Sequence, residues 1–216
     1  MVPDHVQQFH IDYYNRGEFG NGTWKQTFWR GLPLLKCPLD LWIYQELLHE
    51  IKPQLIIETG SAFGGSAVYM GDLLALFGPP GSGVISIDIK PFLNPMPQHP
   101  RVAFVTASSV TQETVNWVKA QTAGRSPVMV ILDSDHSKGH VLAELQAYAP
   151  LVTVGSYLIV EDTNINGHPV YPTFGPGPKE ALDEWLPRCG GAFVVDEARE
   201  KFMMTWNPGG FLKRVK

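Results

Sequence analysis

The sequence has 216 residues, of which 44% are hydrophobic and 18% charged, and its formal net charge is −4. These values are typical of a folded globular protein, so they exclude a disordered chain and a collagen-like one. A mildly acidic chain, with an isoelectric point near 6.0, also lacks the broad basic surface that nucleic-acid binding requires. Because domains usually contain about 100–200 residues, we expect a single domain over residues 1–216.

The sequence carries no signal for export or membrane insertion. The opening MVPDHVQQFHIDYYN has neither a basic start nor an apolar run, and no stretch reaches the roughly 18 apolar residues of a membrane span. The two cysteines, Cys37 and Cys189, are too few for a disulfide framework or a zinc site. We therefore expect a cytoplasmic protein with reduced thiols.

Helical and strand patterns alternate along the chain. In an N-terminal helical segment, residues 1–50, the stretch LDLWIYQELLHEI has apolar residues at helical spacing up to Ile51, and Pro53 follows as a stop. The sequence then predicts, in order, the strand QLIIE, the helix SAVYMGDLLALFG, the strands GVISID and RVAFVT, the helix TQETVNWVKAQTA, the strand PVMVILD, the helix GHVLAELQAYAPL, the strand SYLIVED, the helix KEALDEWL and the closing strands AFVVD and KFMMTW. This alternation predicts an α/β fold, with a doubly wound, Rossmann-like, mostly parallel seven-stranded sheet covered by helices on both faces.

Carboxylates stand at the ends of most predicted strands. These strands end at Glu58, Asp88, Thr106, Asp133 and Glu161, and four of these five residues are acids. Ligands of doubly wound sheets bind at the carboxyl ends of the strands, near the switch in strand order. We therefore expect the ligand site here. The alternative is that the acids only solvate loop ends, where aspartate is common.

The turn after the first sheet strand, in IIETGSAFGGS, combines Glu58 with Gly60, Gly64 and Gly65. Glycines at a strand-to-helix turn let a ligand approach main-chain N–H groups at the helix N-terminus. A dinucleotide turn would read G-x-G-x-x-G, and an acid inside the strand would repel a pyrophosphate but attract the ammonium of an amino acid. S-adenosylmethionine carries such an ammonium, and Asp88 is placed to accept the ribose hydroxyls of its adenosine.

A second polar group follows the fourth and fifth strands. Asp133 and Asp135 occur in ILDSDHSKGH, and Glu161 and Asp162 occur in LIVEDTN. Carboxylates held close together repel one another unless a proton or a cation lies among them. Oxygen ligands favour a hard ion, either Mg²⁺ or Mn²⁺. The alternative is that these acids and the neighbouring histidines cap helices or face solvent.

These motifs resemble those of class I S-adenosylmethionine-dependent methyltransferases. The segments TFWRGLPLLKCPLDLWIYQELL, IIETGSAFGGSA, DSDHSKGHVLAEL, GPGPKEALDEWL and TWNPGGFLKRV narrow the resemblance to the cephalosporin hydroxylase family, which includes rhamnosyl and other sugar O-methyltransferases. The similarity extends from Phe9 to Val215. It implies a metal-dependent O-methyltransferase that acts on a saccharide, for example on the 1-hydroxyl of a methylated mannose oligosaccharide in polysaccharide biosynthesis.

The resemblance also implies roles for individual residues. The implied cofactor-binding residues are Glu58, Gly60, Ser66, Asp88, Ser108 and Asp133. The implied ligands of the divalent metal are Asp135, Glu161 and Asp162.

The general base is left open by the resemblance. Metal-dependent catechol methyltransferases have Asp-His-Trp-Lys where this chain has Asp135-His136-Ser137-Lys138, which places Lys138 on their base. This chain lacks that tryptophan and offers His136 and His140 as rivals. We prefer His136 as the group that takes the proton from the acceptor hydroxyl.

A long loop rich in proline and glycine, residues 166–178, is typical of a lid or a substrate-binding loop. Its Tyr171 and Phe174, with Trp24 and Trp29, are candidates to stack on a sugar. Alternatively, these aromatic residues pack in the core or in a homodimer interface.

Other functions stay open at this point. One is methyl transfer to a non-sugar secondary metabolite, and another is a non-catalytic subunit that binds S-adenosylmethionine for a partner. A third is a nucleotide-dependent oxidoreductase, against which the acid at Glu58 and the glycine spacing both argue.

Overall fold

The computed structural model describes residues 2–16 and 22–216. Its α-helices are α1 (Asp4–Asn15), α2 (Pro38–Ile51), α3 (Gly65–Phe77), α4 (Gln112–Thr122), α5 (Lys138–Tyr148) and α6 (Pro178–Trp185). Its strands are β1 (Phe28–Trp29), β2 (Leu32–Pro33), β3 (Leu55–Thr59), β4 (Gly83–Asp88), β5 (Val102–Thr106), β6 (Val128–Leu132), β7 (Tyr157–Val160), β8 (Phe193–Val195) and β9 (Phe211–Arg214). Among the described residues, each helix is too short or too polar to cross a membrane.

Strands β3 to β9 form one seven-stranded sheet in the order β5-β4-β3-β6-β7-β9-β8. The first five strands in that order are parallel to one another. Strand β9 lies antiparallel between β7 and β8. The strand order therefore switches direction between β3 and β6, and the predicted mostly parallel, doubly wound sheet is confirmed.

The central strands are buried on both faces, because successive side chains of a strand point to opposite sides of the sheet. Leu55 and Ile57 of β3 face an apolar cluster that includes residues of α4, α5 and α6. Ile56, between them, faces a second cluster that includes residues of α2 and α3. Helices thus cover both faces, as the continuous apolar runs predict.

Helix α2 has a defined start and stop. Pro38 occupies its first turn, where a missing N–H and a fixed φ cost nothing. After Ile51, Lys52 takes a left-handed conformation and its N–H donates to the Leu48 carbonyl at 2.9 Å. Pro53 cannot continue the helix, so the predicted stop is confirmed.

The N-terminal segment contacts the helices and loops near the carboxyl edge of the sheet. A Cβ on Gly65, at the start of α3, would lie 2.2 Å from the carbonyl oxygen of Pro33, so this approach requires glycine. His10 of α1 is buried, and its Nε2 lies 3.0 Å from Nδ2 of Asn164, which follows β7. Burial lowers the pKa of His10 to about 4, so its neutral ring accepts the amide hydrogen.

The predicted closing strand KFMMTW is wrong. Residues 201–206 form turns and bends, and the last strand of the sheet is β9. Met204 and Trp206 are buried in a small cluster with Cys37, against side chains of α1. These apolar side chains therefore pack outside the sheet.

Candidate active site

A cavity of about 910 Å³ opens where the central strands end. The turns after β3, β4, β5, β6 and β7 line it, together with residues of the N-terminal segment and of the loop 166–178. The sequence-predicted residues in its lining are Gly60, Ser66, Asp88, Ser108, Asp133, Asp135, His136, His140 and Asp162. Glu58, Glu161 and Lys138 are not part of the lining.

The glycine turn brings the ends of two neighbouring strands together. Gly60 has a φ of +88°, and a Cβ at this position would lie 1.8 Å from the carbonyl oxygen of Asp133. Any side chain would therefore separate the turn after β3 from the turn after β6. The sequence needs glycine here for this close approach as well as for the left-handed backbone.

Asp88 is fixed by main-chain groups. The N–H groups of Ser61 and Ala62 donate to Oδ2 at 2.9 Å each, and the N–H of Lys90 donates to Oδ1 at 2.8 Å. A carboxylate has about four lone-pair sites, so Asp88 can accept a further hydrogen bond from a ligand in the cavity.

Glu58 is fully buried behind the glycine turn. Its carboxylate accepts hydrogen bonds from the hydroxyls of Ser66 and Ser86, the latter at 2.6 Å. Burial raises the pKa of Glu58. Ser66 lines the cavity and Glu58 does not, so the serine stands between this carboxylate and the cavity.

The turn after β5 joins the cavity to α5. Ser108 lines the cavity, and the hydroxyl of the adjacent Ser109 donates to Oε1 of Glu144 at 2.5 Å. The same oxygen lies 3.3 Å from Nε2 of His140, and this hydrogen bond raises the pKa of the imidazole. His140 therefore holds a proton more tightly than a free histidine does.

An acidic group with one imidazole lies at the tips of β6 and β7. Asp133, His136 and Asp162 each offer a ligand atom, and these atoms all lie within 4.8 Å of one another. Nε2 of His136 is 3.1 Å from Oδ2 of Asp162 and 4.0 Å from Oδ1 of Asp133. Burial raises the pKa of both carboxyl groups. This donor set can hold a cation or move a proton.

Asp162 is held in a strained backbone conformation. Its φ of +55° lies in the left-handed region, which costs a non-glycine residue about 1–3 kcal/mol. The N–H of Asp162 donates to Oδ1 of Asn207 at 3.1 Å, which fixes the turn. Such strain persists only where the surroundings impose it, as they do at ligand sites.

Lys36, from the N-terminal segment, neutralises two acids, the buried Glu161 and the partly exposed Asp133. Its Nζ lies 2.6 Å from Oδ2 of Asp133 and 2.6 Å from Oε1 of Glu161, and its side chain is only 3% exposed. Tyr44 of α2 donates its hydroxyl to the same oxygen of Glu161. Burial alone would lower the pKa of Lys36, but the two carboxylates outweigh it and raise the pKa above the usual lysine value. The prediction of site residues omitted both Lys36 and Tyr44.

The three implied metal ligands do not meet as one group. Asp162 belongs to the acidic group at the strand tips, whereas Glu161 is paired with Lys36. Oδ1 of Asp135 accepts the N–H of Ser137 at 2.8 Å, and this bond lowers the pKa of Asp135.

Lys138 points away from the acidic group. Its Nζ forms an ion pair with Oε2 of Glu184 on α6, at 2.8 Å. Of the two predicted catalytic residues, the structure therefore brings His136 into the group and leaves Lys138 on the helix surface.

Aromatic rings form another part of the cavity wall: Tyr14, Trp24, Tyr171, Phe174 and Trp206. The rings of Tyr14 and Trp24 stack at 5.7 Å, and Trp24 meets Trp206 edge to face at 5.5 Å. Burial, and after it the charge of Asp162, raises the pKa of Tyr14 to about 12. The aromatic wall thus adjoins the acidic group.

Trp29 does not line the cavity. Its ring packs edge to face on Tyr69 at 4.9 Å, and its indole N–H donates to Asp72 of α3 at 2.7 Å. Of the two predicted roles for this residue, the contacts favour packing over sugar stacking.

Comparisons with known proteins agree on one family. A family model described as "Rhamnosyl O-methyltransferase/CmcI" matches residues 21–215. The rhamnosyl O-methyltransferase of Mycobacterium leprae (strain TN) is 42% identical over 206 residues, which cover 93% of this chain and 89% of that protein. The rhamnosyl O-methyltransferase of Mycobacterium tuberculosis (strain ATCC 25618 / H37Rv) is 41% identical over 206 residues, which cover 93% of this chain and 83% of that protein.

Solved structures share the fold. The structure described as "cmcI-D160 Mg-SAM" has a TM-score of 0.69 at 21% identity, covering 95% of this chain and 84% of its own. An O-methyltransferase from Bacillus cereus in complex with SAH has a TM-score of 0.53 at 13% identity, covering 73% of this chain and 72% of its own. At these identities the likeness concerns the fold alone.

Proposed function

The chain belongs to the Rhamnosyl O-methyltransferase/CmcI family, and from this premise we propose that it transfers the methyl group of S-adenosylmethionine to a hydroxyl oxygen of a saccharide. One observation carries the proposal: the same cavity joins the glycine turn with Asp88, the acidic group with His136, and the aromatic wall. Its volume of about 910 Å³ is near the upper end of the ~300–1,000 Å³ usual for small-molecule sites, which suits two ligands side by side.

The proposed cofactor site uses the turns after β3, β4 and β5. Asp88 is held by three main-chain N–H groups and accepts the ribose hydroxyls. Gly60 and Ser108 line the same cavity, so Gly60 would leave room for the ligand and Ser108 would lie on the adenine side. Glu58 supplies negative charge for the ammonium of the amino acid, through Ser66 at the cavity wall.

The proposed metal is Mg²⁺ or Mn²⁺, because carboxylate oxygens are the ligands that these ions prefer. Asp135, Glu161 and Asp162 would hold it, which requires Glu161 to give up its pairing with Lys36. Asp133, which lies in the acidic group with Asp162, is assigned to the cofactor side. Asp135 and Asp162 already line the cavity, which supports the fit. A bound divalent ion would lower the pKa of the acceptor hydroxyl, as it does for a ligated water.

His136 is the proposed general base. As a nitrogen donor it is a poorer partner for Mg²⁺ than the oxygens beside it, so it is left to take the hydroxyl proton. Asp162 lies 3.1 Å from Nε2 of His136, so it can orient the ring by a hydrogen bond. S-adenosylmethionine would supply the methyl group and leave as S-adenosylhomocysteine, and His136 would take the proton of the acceptor hydroxyl.

The aromatic wall is the proposed saccharide site. Tyr14, Trp24 and Trp206 offer ring faces and edges next to Asp162, and the loop 166–178 adds Tyr171 and Phe174. Methylated or deoxygenated sugars carry methyl groups that pack on such rings. We propose acceptors of this kind, a rhamnosyl unit or a methylated mannose oligosaccharide in polysaccharide biosynthesis.

The test is the release of S-adenosylhomocysteine from S-adenosylmethionine against a panel of rhamnosides, O-methylated mannosides, unmodified mannosides and non-sugar alcohols. Each acceptor is assayed with Mg²⁺, with Mn²⁺ and with excess chelator. We expect release with one class of saccharide, and only with metal. Equal release in chelator would contradict the metal site, and release with a non-sugar alone would contradict the saccharide.

A pair of variants tests the base. We expect His136→Gln to lower kcat by about 10²–10⁴-fold while the cofactor Kd changes by only a few fold. His140→Gln is the matched control, since His140 lines the same cavity but is bonded to Glu144. If His140→Gln lost as much activity and His136→Gln kept it, the assignment of the base would be reversed.

A further inference from the structure

Lys36 forms an ion pair with Glu161, one of the three proposed metal ligands. Oε1 of Glu161 accepts the ammonium of Lys36 at 2.6 Å and also the hydroxyl of Tyr44. The side chain of Glu161 is only 3% exposed. Because Lys36 and Tyr44 already occupy this oxygen, a cation that binds it competes with both of them.

The Lys36 ammonium also neutralises carboxylates that a bound metal ion would neutralise. It lies within 2.6 Å of two carboxylates from neighbouring strand tips, Asp133 and Glu161, which would otherwise repel each other in a buried site. The ammonium lies between these two carboxylates, and the Lys36 side chain is only 3% exposed.

We propose that Lys36 is a positioning residue that holds Glu161 and Asp133 in place when no metal is bound and releases Glu161 when the metal binds. Metal affinity is then set by competition between this internal cation and the divalent ion. The inference rests on the proposed metal site at Asp135, Glu161 and Asp162.

Competition between Lys36 and the metal also affects residues that line the cavity. Lys36 lies between β2, whose Pro33 carbonyl abuts Gly65, and α2, which begins at Pro38. Pro33 and Leu35 line the cavity beside it. When Glu161 is released, the segment that carries Pro33, Leu35 and Lys36 loses one of its ion pairs. Metal binding is therefore coupled to the position of this segment in the cavity wall.

The test compares Lys36→Met with the wild type in Mn²⁺ titrations followed by electron paramagnetic resonance, and in thermal unfolding with and without metal. The variant keeps the length of the side chain and removes the competing charge. We expect the Kd for Mn²⁺ to fall by roughly tenfold or more, since one nearby unit charge is removed from a partly buried site. The metal-free Tm should fall by roughly 6 °C or more, because the buried Glu161 and the partly exposed Asp133 lose their counter-charge, and metal should restore most of the loss.

Lys90→Met is the matched control. Lys90 also lines the cavity, but it is exposed, and only its main-chain N–H contacts an acid of the site. We expect its Mn²⁺ affinity and its metal response to match the wild type. An equal gain in Lys90→Met would mean that any cavity cation has this effect, which overturns the specific role of Lys36.

Unchanged or weaker Mn²⁺ binding by Lys36→Met would also overturn the inference. If that variant does not fold, Lys36→Gln removes the charge and keeps a hydrogen-bond donor, and the same rise in affinity is expected. The proposed function fails separately: a wild-type protein that binds no Mn²⁺ contradicts the metal site itself, whereas a wild type that binds Mn²⁺ with the same Kd as Lys36→Met contradicts only the role of Lys36.

Discussion

Buried carboxylates near the strand ends differ in what compensates them. Glu161 has the ammonium of Lys36, and Glu58 has two serine hydroxyls. Asp40, in the first turn of α2, is also buried, and it accepts the main-chain N–H of Trp206 at 2.8 Å. No cation pairs with Asp40 among the described residues, so its protonation depends mainly on burial.

Asp40 should make the protein less stable as the pH rises. Burial raises its pKa from 3.8 to about 7, so between these values the folded chain binds a proton that the unfolded chain has lost. The stabilisation is complete below the unfolded value and is lost as the pH rises through about 7. We expect Asp40→Asn to remove this decline, measured by urea unfolding across that range. Asp12→Asn, at an exposed acid of α1, is the control, and a decline that persists in Asp40→Asn would contradict the assignment.

Most of the residues that line the cavity could be predicted from the sequence, but the side chains that pair with the acids could not. Asp133, His136 and Asp162 follow strands directly, so position in the chain is enough to bring these three together. Lys36 lies 97 residues from Asp133, and Tyr44 lies 117 residues from Glu161, so only the packing of the N-terminal segment joins them. One signal was available: Lys36 stands in the apolar stretch PLLKCPL, and a buried lysine requires an acidic partner.

At the scale of elements, the turn between β3 and α3 depends on the contact at Gly60. We expect Gly60→Ala to destabilise the fold by about 3 kcal/mol or more, because its Cβ would lie 1.8 Å from the Asp133 carbonyl in addition to the left-handed strain. Gly81→Ala separates the two effects, since Gly81 has a φ of +75° and nothing within 4 Å of its Cβ. That control should lose only about 1–2 kcal/mol. Equal urea midpoints for the two variants would show that the close approach has no cost.

The elements show where a sequence pattern is sufficient and where it fails. Parallel strands such as LIIET and VMVIL are buried throughout, and their composition alone predicts them. Strand β9, FLKR, has two apolar residues followed by two basic ones, which gives neither a run nor an alternation. KFMMTW has the composition of a strand, but its last apolar residues pack with Cys37. Tertiary packing, which the local pattern does not contain, decides between them.

For the whole molecule, the site lies where the sheet order reverses, and the strand-end rule predicts it without side-chain detail. Because several strand ends form this site, the cofactor should bind only the folded chain, and its binding should raise the free energy of unfolding. At 100 times its Kd, S-adenosylmethionine should add about 2.7 kcal/mol, which raises Tm by roughly 5–11 °C for a chain of this size. Differential scanning fluorimetry measures this rise, with NAD as the control ligand. A rise with NAD and none with S-adenosylmethionine would instead support the nucleotide-dependent oxidoreductase.

The position of β9 has a consequence for synthesis. Strand β8 is made first, but its sheet partner is β9, and β9 also covers the edge of β7. While a ribosome is still adding residues 196–210, the parallel strands can assemble, yet β7 has an open edge and β8 has no place in the sheet. Such an edge invites pairing with another chain. The edge of β7 therefore stays unpaired until Phe211–Arg214 is made and inserts between two strands made before it.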